Sequence, residues 1–323
     1  MDLGYSKPLY LLPFDHRESY VTGMFHFERP LTAAQHQEVS DSKQVIYEGF
    51  CKAVEHGVPK DRAAILVDEE FGSKILNDAR ERGYLTAVST EKSGKKTFEF
   101  EYDGQFGSHI QAFSPTFAKV LVRYNPDDDA QMNQRQVALL RQLSDYLRPS
   151  TYHFMFELLV PPTTAQLAQV NQDKSRYDRE LRCELMLRSI ESLQDAGVEP
   201  DVWKIEGLDT VSDYRHLVAL ARRGGRENVG CIVLGRGANE KTVAHWLTVA
   251  REVTGMIGFA VGRTCFWDPI AAYMAHKLTR EQAADQIAQR YGRWAVLFEN
   301  APDKRIISAP HVDGTAQGNA SPN

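Results

Sequence analysis

The chain has 323 residues, 42% of them hydrophobic and 25% charged, with a formal net charge of -5. This is the balance of an ordinary soluble globular protein of one large domain or two, and it disfavours a polyanion-binding role, so no nucleic-acid partner is expected. No run approaches the ~18 apolar residues of a spanning helix, and Met1 to Pro8 lacks the basic and apolar parts of a secretion signal, so no membrane partner and a cytoplasmic location are expected.

Cys51, Cys183, Cys231 and Cys265 are widely spaced with no C-x-x-C pair. Zinc-finger, redox and disulfide readings therefore lack support, and buried free thiols are the default. Beyond Pro302 the residues turn small and polar (Gly314, Thr315, Ala316, Gln317). That composition predicts a flexible C-terminal tail over 303–323 behind a single unit covering 1–302.

Short apolar, β-branched or aromatic runs alternate with longer helical stretches. The first expected strand is Leu9 to Phe14, followed by a polar loop and a helix from about Ser42 to Glu55. The second, Ala64 to Val67, ends in the acids Asp68, Glu69 and Glu70. A helix from Ser73 to Arg82 leads to the third, Leu85 to Ser89, which runs into Glu91 and Lys92. The fourth is Lys119 to Tyr124. A helix from Ala130 to Leu147 leads to the fifth, Phe154 to Val160, which stops at Pro161. One long helix, about Tyr177 to Ala196, returns to the sixth, Val202 to Glu206. A helix from Ser212 to Arg223 precedes the seventh, Cys231 to Leu234, which ends in Gly235-Arg236-Gly237. The eighth is Met256 to Val261, ending in Gly262-Arg263. Helices Glu240 to Val253 and Ile270 to Tyr291 complete the set.

Eight strand-helix units imply parallel pairing through right-handed crossovers, and they close most naturally into an α/β (β/α)8 TIM barrel. A doubly wound open sheet is the runner-up, weakened because the turn after the first strand has no G-x-G-x-x-G fingerprint.

In a barrel the chemistry sits at the C-terminal strand ends. Those ends carry Asp15-His16-Arg17, Asp68-Glu69-Glu70, Glu91-Lys92, Arg123, Glu157, Lys204, Arg236 and Arg263. Lys119 and His153 are exceptions, since each opens its expected strand. Loop charges are common anyway. Charges inside strands are harder to dismiss: Glu157 lies between Phe156 and Leu158, and Lys204 between Trp203 and Ile205. Burial lowers a lysine pKa, and a neutral amine can attack a carbonyl; the competing reading of Lys204 is an ion pair with Glu206 or Asp201. An amine nucleophile, a proton-moving acid and an anion site of arginines and backbone amides are the parts of a class I aldolase. Gly235, Gly237 and Gly262 would let backbone N–H groups approach a phosphate; the plain alternative is a tight strand-to-helix turn.

These motifs resemble the class I tagatose-1,6-bisphosphate aldolases, which include sulfofructose-phosphate aldolase relatives. They resemble more closely the aldolase-like domain of unknown function fused to some 5-dehydro-2-deoxygluconokinases. The likeness spans about residues 8 to 300. The family's D-V-L-K-V-E is similar to Asp201-Val202-Trp203-Lys204-Ile205-Glu206, and its F-L-E-I-L to Phe156-Glu157-Leu158-Leu159. D-Q-R stands here as Asp15-His16-Arg17, E-K-T-G as Glu91-Lys92-Ser93-Gly94, and K-F-L-L-Y-Y-D as Lys119 to Asn125. L-S-A-G and C-G-R-A-T-W have counterparts in Leu234 to Gly237 and Val261 to Thr264.

The resemblance implies Lys204 as the imine-forming lysine and Glu157 as the proton-transfer residue. Lys119 would orient Glu157 and depress the lysine pKa, and Asp15 would hold Lys204 or a substrate hydroxyl. Arg263, Arg236 and the glycines would bind phosphate, with Arg17 and Arg123 at a carboxylate end and His16, Glu91 and Lys92 nearby. Arg236 and Arg123 depart from the family pattern and add positive charge. With the kinase fusion of the relatives, this implies a small phosphorylated substrate, 5-dehydro-2-deoxygluconate 6-phosphate of inositol breakdown, cleaved to dihydroxyacetone phosphate and malonate semialdehyde. The kinase is not expected within these 323 residues. Alternatives are a tagatose-bisphosphate or sulfofructose-phosphate aldolase, and a non-catalytic phosphosugar-binding barrel.

An imine mechanism needs no metal and no cofactor. A metal-dependent aldolase would need several converging ligands, of which His16 is the one histidine well placed and Asp68 to Glu70 the one acidic cluster. A homo-oligomer is open, with Trp246, Tyr273 and Trp294 serving either an interface or the core.

Overall fold

In a computed structural model that describes residues 3–299, eight parallel strands follow one another around a closed barrel. They are β1 (Leu9–Pro13), β2 (Ala63–Val67), β3 (Leu85–Ser89), β4 (Phe117–Arg123), β5 (His153–Leu159), β6 (Val202–Glu206), β7 (Gly230–Leu234) and β8 (Met256–Ala260). Both faces of each strand are covered, which is why the strands read as near-continuous apolar runs. Inward-pointing Leu9, Leu11, Ala64, Leu66, Phe117 and Met155 form one apolar cluster with Val202 and Ile232. Outward-pointing Phe154, Phe156, Val120, Trp203 and Ile205 pack with the helices in the larger one.

The helices are α1 (Glu18–Tyr20), α2 (Ala33–Glu55), α3 (Glu69–Glu81), α4 (Phe106–Phe113), α5 (Ala130–Leu147) and α6 (Thr164–Gln169), then α7 (Lys174–Glu180), α8 (Arg182–Asp195), α9 (Val211–Ala221), α10 (Glu240–Ala250), α11 (Arg263–Met274) and α12 (Arg280–Glu299). Side-chain oxygens of Thr32, Asp68, Asp129, Thr163, Asp173, Thr210 and Asn239 cap seven of them by accepting from backbone N–H groups of the first turn. α2 packs against α12 at Gly49, where a Cβ would lie 2.7 Å from Ile287.

Several expected boundaries move. α2 begins at Ala33 because Thr32 and Gln35 form a capping box, nine residues before Ser42. β4 begins at Phe117, so Lys119 is its third residue and not its first. The single helix expected over Tyr177 to Ala196 is two, broken at Leu181, whose φ of -123° is not helical. The helix expected over Ile270 to Tyr291 is likewise α11 and α12, and α4 and α6 were not foreseen.

The N-terminal end of the barrel is closed by the segment before β1. Gly4 N–H donates to Asp201 Oδ1 at 2.7 Å, and Tyr5 meets Phe117 and His153 edge-on at 5.0 and 5.3 Å between ring centres. His153 therefore belongs to the base. Trp246 and Trp294 are buried and Tyr273 is half-buried, so core packing accounts for the two tryptophans. Among the described residues, no helix is long and apolar enough to cross a membrane. The expected tail, 303–323, lies outside the described residues.

Candidate active site

β4, β5 and β6 each carry one ionisable residue pointing inward, two residues above an apolar one: Lys119 above Phe117, Glu157 above Met155, and Lys204 above Val202. This is the two-residue alternation of a strand applied to the next layer of the barrel interior. Glu157 and Lys204 are register partners, and Lys204 Nζ stands 2.8 Å from Glu157 Oε2. The same oxygen lies 3.0 Å from Lys119 Nζ, which also reaches Asp15 Oδ2 and Glu91 Oε1 at 2.8 Å each. Lys119 is 1% exposed and Lys204 3%.

Buried charges persist only when matched, and here two ammonium groups meet three carboxylates. For Lys119, burial favours the neutral amine, but the negative charges of Asp15, Glu157 and Glu91 outweigh it and hold the pKa well above the usual lysine value. For Glu157, burial raises the pKa and the charges of Lys119 and Lys204 overcome it, leaving it below the ordinary carboxylate value. Asp15 is lowered in the same way by Lys119 and Lys204 against its burial. Glu91 is raised, because burial there exceeds what Lys119 and Arg17 return. His16 is pushed down to about 4 by burial, so its imidazole is neutral at neutral pH.

Above this layer opens a cavity of about 560 Å³, a size suited to a small metabolite. Its wall includes Lys204, Glu157, Gly235, Gly237, Arg263 and Thr264. The N-terminus of α11 opens into it with no side-chain cap, which leaves first-turn N–H groups for an anion. Gly262 is required there: a Cβ would lie 2.0 Å from Pro13 O. Arg263 donates to Ser19 Oγ at 3.0 Å and stacks its guanidinium over Trp267. Gly237 adopts a φ of +70° in the β7 turn, a conformation that favours glycine.

The structure corrects several expected roles. Asp15 is held by Lys119 and by Ser89 Oγ at 3.0 Å, not by Lys204. Arg17 is buried in the wall, where it donates to Glu91 O and meets Glu101 at 2.6 Å; its charge is already matched. Arg236 is gripped by Glu206 at 2.9 Å and Asp178 at 2.8 Å, so its guanidinium is not a free anion ligand. Lys92 pairs with Asp103 at 2.9 Å. Arg123 keeps its expected place, exposed at the end of β4, and donates to Lys95 O at 3.0 Å. Glu206, offered as a partner for Lys204, instead accepts from Val160 N–H at 3.0 Å.

The acidic triplet is the N-terminus of α3, with Glu69 and Glu70 in its first turn, and not a convergent cluster. Asp68 is fully buried, caps α3 through Phe71 N–H and pairs with buried Lys43, while Glu69 meets His109 and Glu70 meets Arg29. Among the described residues, no group of three or more His, Cys, Asp or Glu is arranged to hold a metal ion.

Lys43 was missed. Its Nζ also donates to His16 O at 3.0 Å, fixing the loop that carries Asp15. The available signal was its place on the apolar face of α2, four residues after Val39 and four before Tyr47. Glu101 and Glu206 carried no local signal for the arginines they neutralise.

Over residues 5–301 the sequence matches the family described as "Uncharacterized protein conserved in bacteria (DUF2090)". No curated protein matches the chain by sequence. Among solved structures, a fructose-bisphosphate aldolase from Plasmodium falciparum is similar in fold, with a TM-score of 0.62 and 12% identity over 92% of this chain and 91% of that one.

Proposed function

The chain belongs to that bacterial family, and from this premise we propose that it is a class I aldolase acting on a phosphorylated keto sugar or sugar acid. The observation that carries the reading is Lys204 Nζ, buried on the floor of the mouth and 2.8 Å from a carboxylate that can take its proton. Attack on a ketone requires the neutral amine. Glu157 is ionised in the resting site and so can accept that proton, then return it as the carbinolamine loses water. Returning it leaves a protonated imine, whose positive charge keeps Glu157 ionised and ready to accept the next proton.

Glu157 accepts the β-hydroxyl proton as the carbon-carbon bond breaks, and the electron pair of that bond moves to the imine nitrogen. An aldehyde leaves, the enamine carbon is protonated, and water releases the second product from Lys204. Lys119 keeps Glu157 in place and stays charged throughout. The uncapped α11 N-terminus, the Gly235–Gly237 turn and Arg263 form the cradle for the phosphate.

The finer reading is cleavage of 5-dehydro-2-deoxygluconate 6-phosphate to dihydroxyacetone phosphate and malonate semialdehyde, a step of inositol breakdown. It rests on the family resemblance together with the positive mouth. Borohydride reduction in the presence of dihydroxyacetone phosphate, followed by peptide mass spectrometry, tests the mechanism. An adduct on Lys204 is expected. A protein that binds dihydroxyacetone phosphate without forming any adduct would be a phosphosugar-binding barrel and not an aldolase.

A further inference from the structure

The wall of the mouth carries nine lysine and arginine side chains against four carboxylates. Five of the nine, Lys119, Lys204, Arg17, Lys92 and Arg236, are within ion-pair distance of Asp or Glu. Among the described residues, no such partner is recorded for the remaining four: Arg263, Arg123, Lys95 and Lys96. These four fall into two groups. Arg263 follows β8, whereas Arg123 ends β4 and Lys95 and Lys96 sit on the loop after β3. In a closed eight-stranded barrel β8 and β4 are diametrically opposed, and Lys204 on β6 lies midway between them.

The loop is anchored. Glu91 and Phe100 form an antiparallel bridge, with Lys92 N–H donating to Glu99 O and Glu101 N–H to Thr90 O, each at 2.9 Å. Phe98 is buried, and its N–H donates to Gln136 Oε1 at 2.8 Å. Arg123 holds the turn itself by donating to Lys95 O. An exposed lysine on an unsupported loop is ordinarily just solvated. Here two adjacent lysines are presented into the cavity by a braced loop, with no carboxylate among the described residues within ion-pair distance of them.

Resting on the imine reading above, we infer that Lys95 and Lys96, with Arg123 beside them, form a second anion subsite that determines specificity: the substrate carries an anionic group at each end, with its ketone between. Ammonium groups are compact point charges without the planar fork that selects one anion geometry. The subsite therefore selects for negative charge, and carboxylate and phosphate share the chemistry it recognises.

The test runs the reaction as a condensation. Dihydroxyacetone phosphate is the common donor, so the α11 side is equally filled in every arm. The acceptor is glyceraldehyde, malonate semialdehyde or glyceraldehyde 3-phosphate. The native chain is expected to prefer the anionic aldehydes in kcat/KM by about tenfold or more, a preference that shrinks as salt is added. In the double variant Lys95→Gln/Lys96→Gln the preference collapses through KM, while borohydride still traps dihydroxyacetone phosphate on Lys204. A preference for only one of the two charged acceptors identifies the natural anion. Equal use of neutral and charged acceptors, or a preference that survives in the double variant, overturns the subsite while the imine chemistry stands. Absence of any trapped adduct removes the imine reading itself and this inference with it.

Discussion

Two residues along the same three strands separate the barrel's base from its mouth. At the base, Phe117, Met155 and Val202 meet Tyr5 in a dry apolar layer, and Asp201 spends its carboxylate on the N–H groups of Gly4 and Phe154 at 2.7 and 2.6 Å. One layer up, Lys119, Glu157 and Lys204 face one another below a cavity of about 560 Å³. The base satisfies its polar groups with backbone and leaves little space; the mouth satisfies charge with charge and leaves an opening. Side chain against backbone is a structural solution, because neither partner can be exchanged. Charge against charge beside a cavity is exchangeable, since a proton can pass between partners and a substrate can replace one of them.

Four measurements sharpen or break this contrast. The largest expected effect is on Lys204→Met: loss of turnover of about 10⁴-fold or more and no borohydride adduct. Its stability should stay within about 1 kcal/mol of native, because Glu157 keeps Lys119 and a buried ammonium is replaced by a side chain of similar shape. A variant that retains turnover would break the imine reading.

Lys119→Met should cost about 3–5 kcal/mol in urea unfolding, since three buried carboxylates lose their common cation. A smaller cost would mean that water reaches Asp15, Glu91 or Glu157 freely.

The third measurement is the sign of the acid response. Asp15 and Glu157 are held below their usual values by Lys119 and Lys204 against burial. Each therefore adds stability above the unfolded-state pKa of about 4, which is lost as pH falls through the folded value. Glu91 is raised by burial, so it opposes this trend and softens it. The native protein should lose stability below about pH 4. In Lys119→Met the larger of the two lowering charges is gone, and stability should rise between about pH 6 and 4 as the crowded carboxylates protonate. Unfolding curves at three pH values distinguish the two slopes.

The smallest effect belongs to the base. Asp201→Asn leaves one acceptor oxygen for the N–H groups of Gly4 and Phe154 and should cost about 1–3 kcal/mol, with borohydride trapping on Lys204 intact.

Much of this contrast was legible in advance. Eight apolar runs separated by helical stretches led to the closed barrel, and the interruption of two of those runs by Glu157 and Lys204 marked the mouth. Helix boundaries were less legible, because the Thr32 cap and the break at Leu181 compete with an amphipathic pattern that runs across them. Charge at the strand ends was visible too, but not its allocation. Arg17, Arg236 and Lys92 read as substrate cations, whereas the fold neutralises them with Glu101, Glu206 and Asp103.

The sequence by itself determined the architecture and the layer at which ionisable groups enter the barrel, because strand periodicity is a local property that repeats every two residues. Only the tertiary structure decided which charges are spent and which remain for a ligand. Ion pairing depends on distances across the barrel between residues far apart in the chain, such as the 104 positions between Asp15 and Lys119. Among the described residues, that allocation leaves Lys95, Lys96, Arg123 and Arg263 without an ion-pair partner around Lys204.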